Sequence, residues 1–102
     1  MTLDYLVFDY SEGDDDTGLF DALATVAPER AAAVQAEIDA VLDWAARFPG
    51  PRGPVEEGGA WDADLQVSDE PGPLPRRSFT FSIGGVSAFC EAFRERFGEA
   101  VV

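Results

Sequence analysis

The chain contains no lysine, no histidine and no asparagine, and its one cysteine is Cys90. Without histidine there is no Ser-His-Asp or Cys-His nucleophile pair and no imidazole metal ligand. Without lysine there is no Schiff-base amine and no phosphate loop of the Walker type. A lone cysteine makes no internal disulfide, which agrees with a reducing compartment, and its helical neighbours Phe89, Phe93 and Phe97 mark it as a buried thiol rather than a nucleophile. Long apolar runs are missing too. The N-terminal run Tyr5 to Phe8 is far shorter than a signal-peptide core, and no span reaches transmembrane length, so a cytoplasmic location is the expectation.

Positive charge is scarce. Seven arginines stand against twenty acidic residues in 102, giving a net charge of -13 and an isoelectric point near 4.1. Such a chain repels phosphate backbones and anionic headgroups, so direct nucleic-acid or membrane binding is disfavoured and a basic protein partner is favoured. An acidic, lysine-free composition also suits a salt-rich habitat or a GC-rich genome. The chain is 46% hydrophobic, enough to build one core, and a single compact domain over residues 1–102 is expected.

Along the chain, Leu3 to Tyr10 is rich in aromatic and branched residues and reads as a strand apolar on both sides. The polar turn Ser11–Thr17 precedes Leu19, Phe20, Leu23 and Val26, whose spacing predicts a short helix capped by Asp16 or Thr17. Pro28 then opens a second, longer helix to Phe48, with Val34, Ile38, Val41, Leu42, Ala45 and Phe48 on its apolar stripe. The proline- and glycine-rich run 49–59 ends it. Trp61, Ala63, Leu65 and Val67 alternate with Asp62, Asp64 and Gln66, and Phe79, Phe81 and Ile83 alternate with Ser78, Thr80 and Ser82. These are two half-buried strands of a hairpin. Gly84-Gly85 breaks the second strand, and Val86, Phe89, Cys90, Phe93 and Phe97 predict a final helix that Ser87 can cap. The expected fold class is α+β in the order β-α-α-β-β-α. Its small three-stranded sheet has the last strand between the other two, and its helices cover mainly one face.

Several clusters invite a chemical reading. Glu12, Asp14 and Asp16 at alternate positions suggest a calcium or magnesium loop, but Gly18 falls one position late and Leu23 occupies the place of the terminal carboxylate. A solvated turn explains them as well. Asp62 and Asp64 share one strand face, yet two neighbours on an open hairpin do not flank a cleft as paired catalytic carboxylates must. Gly84-Gly85 before a helix resembles an anion-binding turn, which the surrounding negative charge opposes. Arg94 and Arg96 are accounted for by helix-surface pairs with Glu91 and Glu99.

No catalytic residue, metal or cofactor is therefore expected. Small size, acidity and α+β order are similar to those of toxin-neutralising immunity proteins and acidic DNA mimics, a likeness of bulk properties and not of motif. The expected function is non-catalytic: an inhibitor or immunity-type domain presenting carboxylates to a basic partner through Asp62, Asp64 and Gln66, the turn residues Asp14 and Asp15, and Trp44, which lies off its helical stripe. The alternatives are a small metal-dependent enzyme using the turn 11–17 and a host-adapted acidic domain, whose crowded carboxylates would titrate above their ordinary range.

Overall fold

The stretch Thr17–Val26 fits two periods at once. Leu19, Phe20, Leu23 and Val26 make a helical stripe, whereas Gly18, Phe20, Ala22 and Ala24 alternate as a strand does. In the computed structural model, which describes residues 2–13 and 15–102, it is a strand. Gly18, Phe20, Ala22 and Ala24 are buried, and Leu19, Asp21, Leu23 and Thr25 are exposed. Strand neighbours on both sides take up its main-chain groups, and that pairing overrides the local helical spacing.

The elements in chain order are β1 (Phe8–Glu12), β2 (Thr17–Val26), α1 (Ala31–Ala46), β3 (Trp61–Glu70), β4 (Arg76–Val86) and α2 (Ser87–Phe97), with single 3-10 turns at 28–30, 55–57 and 98–100. The strands form one antiparallel sheet in the order β1-β2-β4-β3. The fold is thus α+β as expected. The expected three-stranded sheet and β-α-α-β-β-α order are corrected to four strands and two helices, with two hairpins each followed by a helix. Thr17 pairs with Val86 in the sheet and caps nothing. Asp16 takes a left-handed turn conformation, φ 59°, which aspartate tolerates better than most residues. No helix among the described residues is long and apolar enough to cross a membrane.

Both helices pack on one face of the sheet. Val34, Ile38, Val41 and Ala45 of α1 and Phe89, Phe93 and Phe97 of α2 are buried against Phe8, Phe20, Phe81 and Ile83. Phe93 is the meeting point: its ring centroid lies 5.2 Å from Phe8, 4.2 Å from Phe20, 5.9 Å from Trp44 and 5.2 Å from Phe97. Truncating a buried phenylalanine costs about 3–5 kcal/mol, a large part of the roughly 5–15 kcal/mol that holds a domain together. The inward position at the start of β2 is glycine for a steric reason. A side chain on Gly18 would strike the Tyr10 ring and the Cys90 sulfur, so α2 sits close to the sheet only because glycine is there.

The N-terminal segment departs from the strand expected over Leu3–Tyr10. Its amides are spoken for: those of Asp4, Tyr5 and Leu6 donate to the carboxylate of Glu37 on α1 at 2.8 to 3.1 Å. They cannot join a ladder, and β1 begins only at Phe8. Glu37 is 5% exposed, the one charged residue in the core among the described residues. A carboxylate that accepts several amides is stabilised by charge-assisted hydrogen bonds, and removing one acceptor strands buried donors. Glu37→Gln keeps the volume but turns an amino group toward those amides. We expect a loss of about 2–3 kcal/mol in urea unfolding, with faster hydrogen exchange at Tyr5 and Leu6. Wild-type stability in that variant would remove the anchoring role.

Candidate protein-binding face

The side of the sheet away from the helices carries the outward residues of all four strands. Register places Asp9 opposite Asp21, Asp21 opposite Ser82 and Ser82 opposite Asp64, so one row across the sheet reads Asp, Asp, Ser, Asp. All three aspartates are exposed. Like charges facing each other across antiparallel strands destabilise a sheet, and relief here comes from Ser82, whose hydroxyl donates to Asp21 Oδ1 at 2.5 Å. Neighbouring rows supply Thr80 beside Gln66, and a Thr25–Ser78 hydroxyl contact at 2.9 Å. Leu19 and Leu23 flank Asp21 on the same face, 41% and 66% exposed. The face thus sets two exposed leucines on either side of a carboxylate.

At one end of this face the loop 49–60 folds over the strands and encloses a groove of about 350 Å³. The groove brings Asp15 and Asp62 together with Glu12 and Glu56 over a floor of Gly18, Gly84 and Gly85. Gly84-Gly85 does not break β4, which continues to Val86. These glycines answer to close strand approach. A side chain on Gly84 would meet the Gly18 carbonyl and Leu19 Cα, and one on Gly85 the Ala60 carbonyl and Trp61 Cα.

Asp62 is engaged within the chain. Its Oδ1 accepts the Ala63 amide at 2.9 Å and the Arg52 guanidinium at 3.1 Å, and Arg52 also lies over the Trp61 ring at 5.2 Å. The Ala63 amide first, and Arg52 after it, hold the Asp62 carboxyl below its ordinary range. Arg77 does the same to Asp69 across the far hairpin. Both shifts run against the raised values expected of crowded carboxylates, because each of these acids has found a donor. Asp15 accepts the Thr17 hydroxyl at 2.7 Å. Burial pushes the Cys90 thiol up, and its sulfur contacts the Gly85 carbonyl at 3.5 Å, as suits an inert core cysteine.

Of the residues expected to bind a partner, Asp62, Asp64 and Gln66 share the outer face of β3, and Asp15 joins Asp62 at the groove. Asp14 lies outside the described residues. Trp44 is separate: it is half-buried on the helix side against Phe89, Phe93 and Phe97, with ring centroids 5.5, 5.9 and 5.3 Å away. It lies on the opposite side of the sheet from Asp62, Asp64 and Gln66. Asp9 and Asp21 join those three. The alternation of Leu19, Asp21, Leu23 and Thr25 with Gly18, Phe20, Ala22 and Ala24 was the signal for Asp21. Among the described residues, no group of three or more His, Cys, Asp or Glu side chains is placed to hold a metal ion.

Acids and arginines occur on both sides of the sheet, with Arg52 paired to Asp62 at the groove end of the open face. Arg47, Arg94 and Arg96 accompany Asp39, Asp43, Glu91 and Glu95 on the helices, and Arg76 and Arg77 face Glu70 and Asp69 at the far hairpin. The row Asp9, Asp21, Asp64 has no arginine in register. No family model, curated protein or solved structure matches the chain.

The lowered Asp62 value carries a sign. Its stabilising contribution is present above the ordinary carboxylate range and is lost as pH falls through its depressed folded value. In a carboxyl-detected NMR titration the Asp62 midpoint should lie below 3.8. In Arg52→Gln it should rise yet stay lowered, since the Ala63 amide remains. A wild-type midpoint at or above the ordinary value would refute the assignment.

Proposed function

We propose that the chain is a non-catalytic protein-binding domain, of the inhibitor or immunity kind, that presents the open face of its sheet to a basic protein. The observation that carries this reading is the row Asp9, Asp21, Ser82, Asp64. It sets two carboxylates directly opposite each other with no arginine in register, although the same chain supplies arginines to its helices and far hairpin. Like charges opposed across antiparallel strands destabilise a sheet, and inside the molecule a single Ser82 hydroxyl is set against that cost. A cationic partner removes it. Such a surface speeds association and makes it sensitive to salt, while Leu19 and Leu23 supply apolar contact beside the charges.

The reading separates cleanly from a solubility role. Asp9→Asn with Asp64→Asn takes two charges from the sheet, and Glu91→Gln with Glu95→Gln takes two from α2. Immobilised protein is exposed to lysate of the source cells at low salt and at about 0.5 M, where screening shortens to roughly 4 Å. Wild type and the helix variant should retain the same basic protein at low salt and release it at high salt. The sheet variant should lose it while unfolding at an equal or higher urea concentration than wild type. Equal retention by both variants, or no basic protein in any arm, would overturn the proposal.

A further inference from the structure

The outer edge of β3 has a pattern of its own. At its start the Gly53 amide donates to the Trp61 carbonyl at 2.8 Å, Arg52 Nη2 donates to the Ala63 carbonyl at 3.2 Å, and the Ala63 amide turns to Asp62 Oδ1. The Ala60 carbonyl, by contrast, accepts the Val86 amide from the β4 side at 3.0 Å. Odd-numbered residues of β3 therefore point their main-chain groups away from β4, and even-numbered ones toward it. By the same alternation the N–H and C=O groups of Leu65 and Val67 lie on the outer edge, where no described residue meets them. The opposite edge of the sheet differs. β1 is five residues long, and the Val102 amide closes on its Phe8 carbonyl at 2.9 Å.

The two sides of this edge are chemically unlike. Toward the helices a groove of about 510 Å³ opens beside Val67, walled by Ala31, Ala32 and Phe79 together with Gln35 and with Arg77, whose guanidinium is held by Asp69. Toward the open face stand the exposed side chains of Asp64 and Gln66. A strand added here would alternate, dropping apolar side chains into the groove and holding cationic ones beside Asp64. The chain already contains the beginning of such a pairing, because Arg52 makes a parallel bridge to Trp61 while its guanidinium reaches Asp62 and the Ala63 carbonyl. A second copy of β3 does not suit the edge, since pairing would bring Asp64, Asp69 and Glu70 against their own kind.

We propose that the edge of β3 from Asp64 to Ser68 receives an extended segment of the basic partner, with alternating apolar and arginine or lysine side chains, as a fifth strand. The inference rests on the reading of the acidic face as a protein-binding surface, and the test separates the two. The probe is a capped peptide of alternating arginine and valine, compared with the same peptide N-methylated at every peptide nitrogen, which keeps charge and side chains but cannot donate to a strand. Titration into isotopically labelled protein should shift the Leu65 and Val67 amides and protect them from hydrogen exchange, and the methylated peptide should bind about tenfold more weakly or worse. Val67→Pro should weaken the unmodified peptide similarly, since the amide it removes points away from β4 and proline is tolerated on such an edge. Equal binding of both peptides, with shifts at Asp9, Asp21 and Asp64 and no protection at Leu65 and Val67, would overturn strand addition and leave the acidic face standing. Binding of neither peptide would overturn both.

Discussion

The molecule is organised around the burial of one aromatic ring. Phe93 of α2 touches Phe8 of β1, Phe20 of β2 and Trp44 of α1, so one residue ties the helix layer to the sheet. For that contact to form, both helices must lie on the same side. Gly18, Ala22 and Ala24 keep the inward surface of β2 low enough for them to approach. The consequence is a four-stranded sheet covered on one face only. Antiparallel sheets accept this arrangement because their side chains alternate, apolar inward and polar outward. The open face is therefore a product of the packing, and what stands on it is free to serve a purpose other than folding.

What stands there is serine and threonine with aspartates set among them. A fold of this size has little stability to spare, yet it sets Asp9 against Asp21 and leaves Leu23 two-thirds exposed. Where an acid is placed for structure, it is supplied with donors: Glu37 takes three amides, Asp62 an amide and Arg52, and Asp69 takes Arg77. Asp21 receives one hydroxyl from Ser82. Departures from local consistency of this kind collect at functional sites, which supports a partner surface in the proposal above.

Parts of this arrangement were legible in the residues alone. The stripe Val34, Ile38, Val41 and Ala45, the aromatic spacing Phe89, Phe93 and Phe97, and the alternation from Trp61 to Val67 each follow one period without competition. They placed α1, α2 and the outward Asp62, Asp64 and Gln66 where they are found. Thr17–Val26 was ambiguous because three of its inward positions, Gly18, Ala22 and Ala24, carry little hydrophobic weight, while Phe20 fits either period and the outward Leu19 and Leu23 carry much. The late start of β1 was hidden for another reason. Its cause, the Glu37 carboxylate, lies more than thirty residues away along the chain. The packing of Trp44 was hidden likewise, since the rings beside it belong to α2 and only the tertiary fold brings them near.

On the proposed reading cations gather at the row Asp9, Asp21 and Asp64, which no arginine faces in register. Paramagnetic relaxation of the labelled protein by a cationic and a neutral nitroxide, compared proton by proton, measures that gathering without any partner. The strongest enrichment of the cation is expected at Asp9, Asp21, Ser82 and Asp64, and weaker enrichment at Glu91 and Glu95, where Arg94 and Arg96 share the helix. Equal enrichment on both sides of the molecule would contradict that reading.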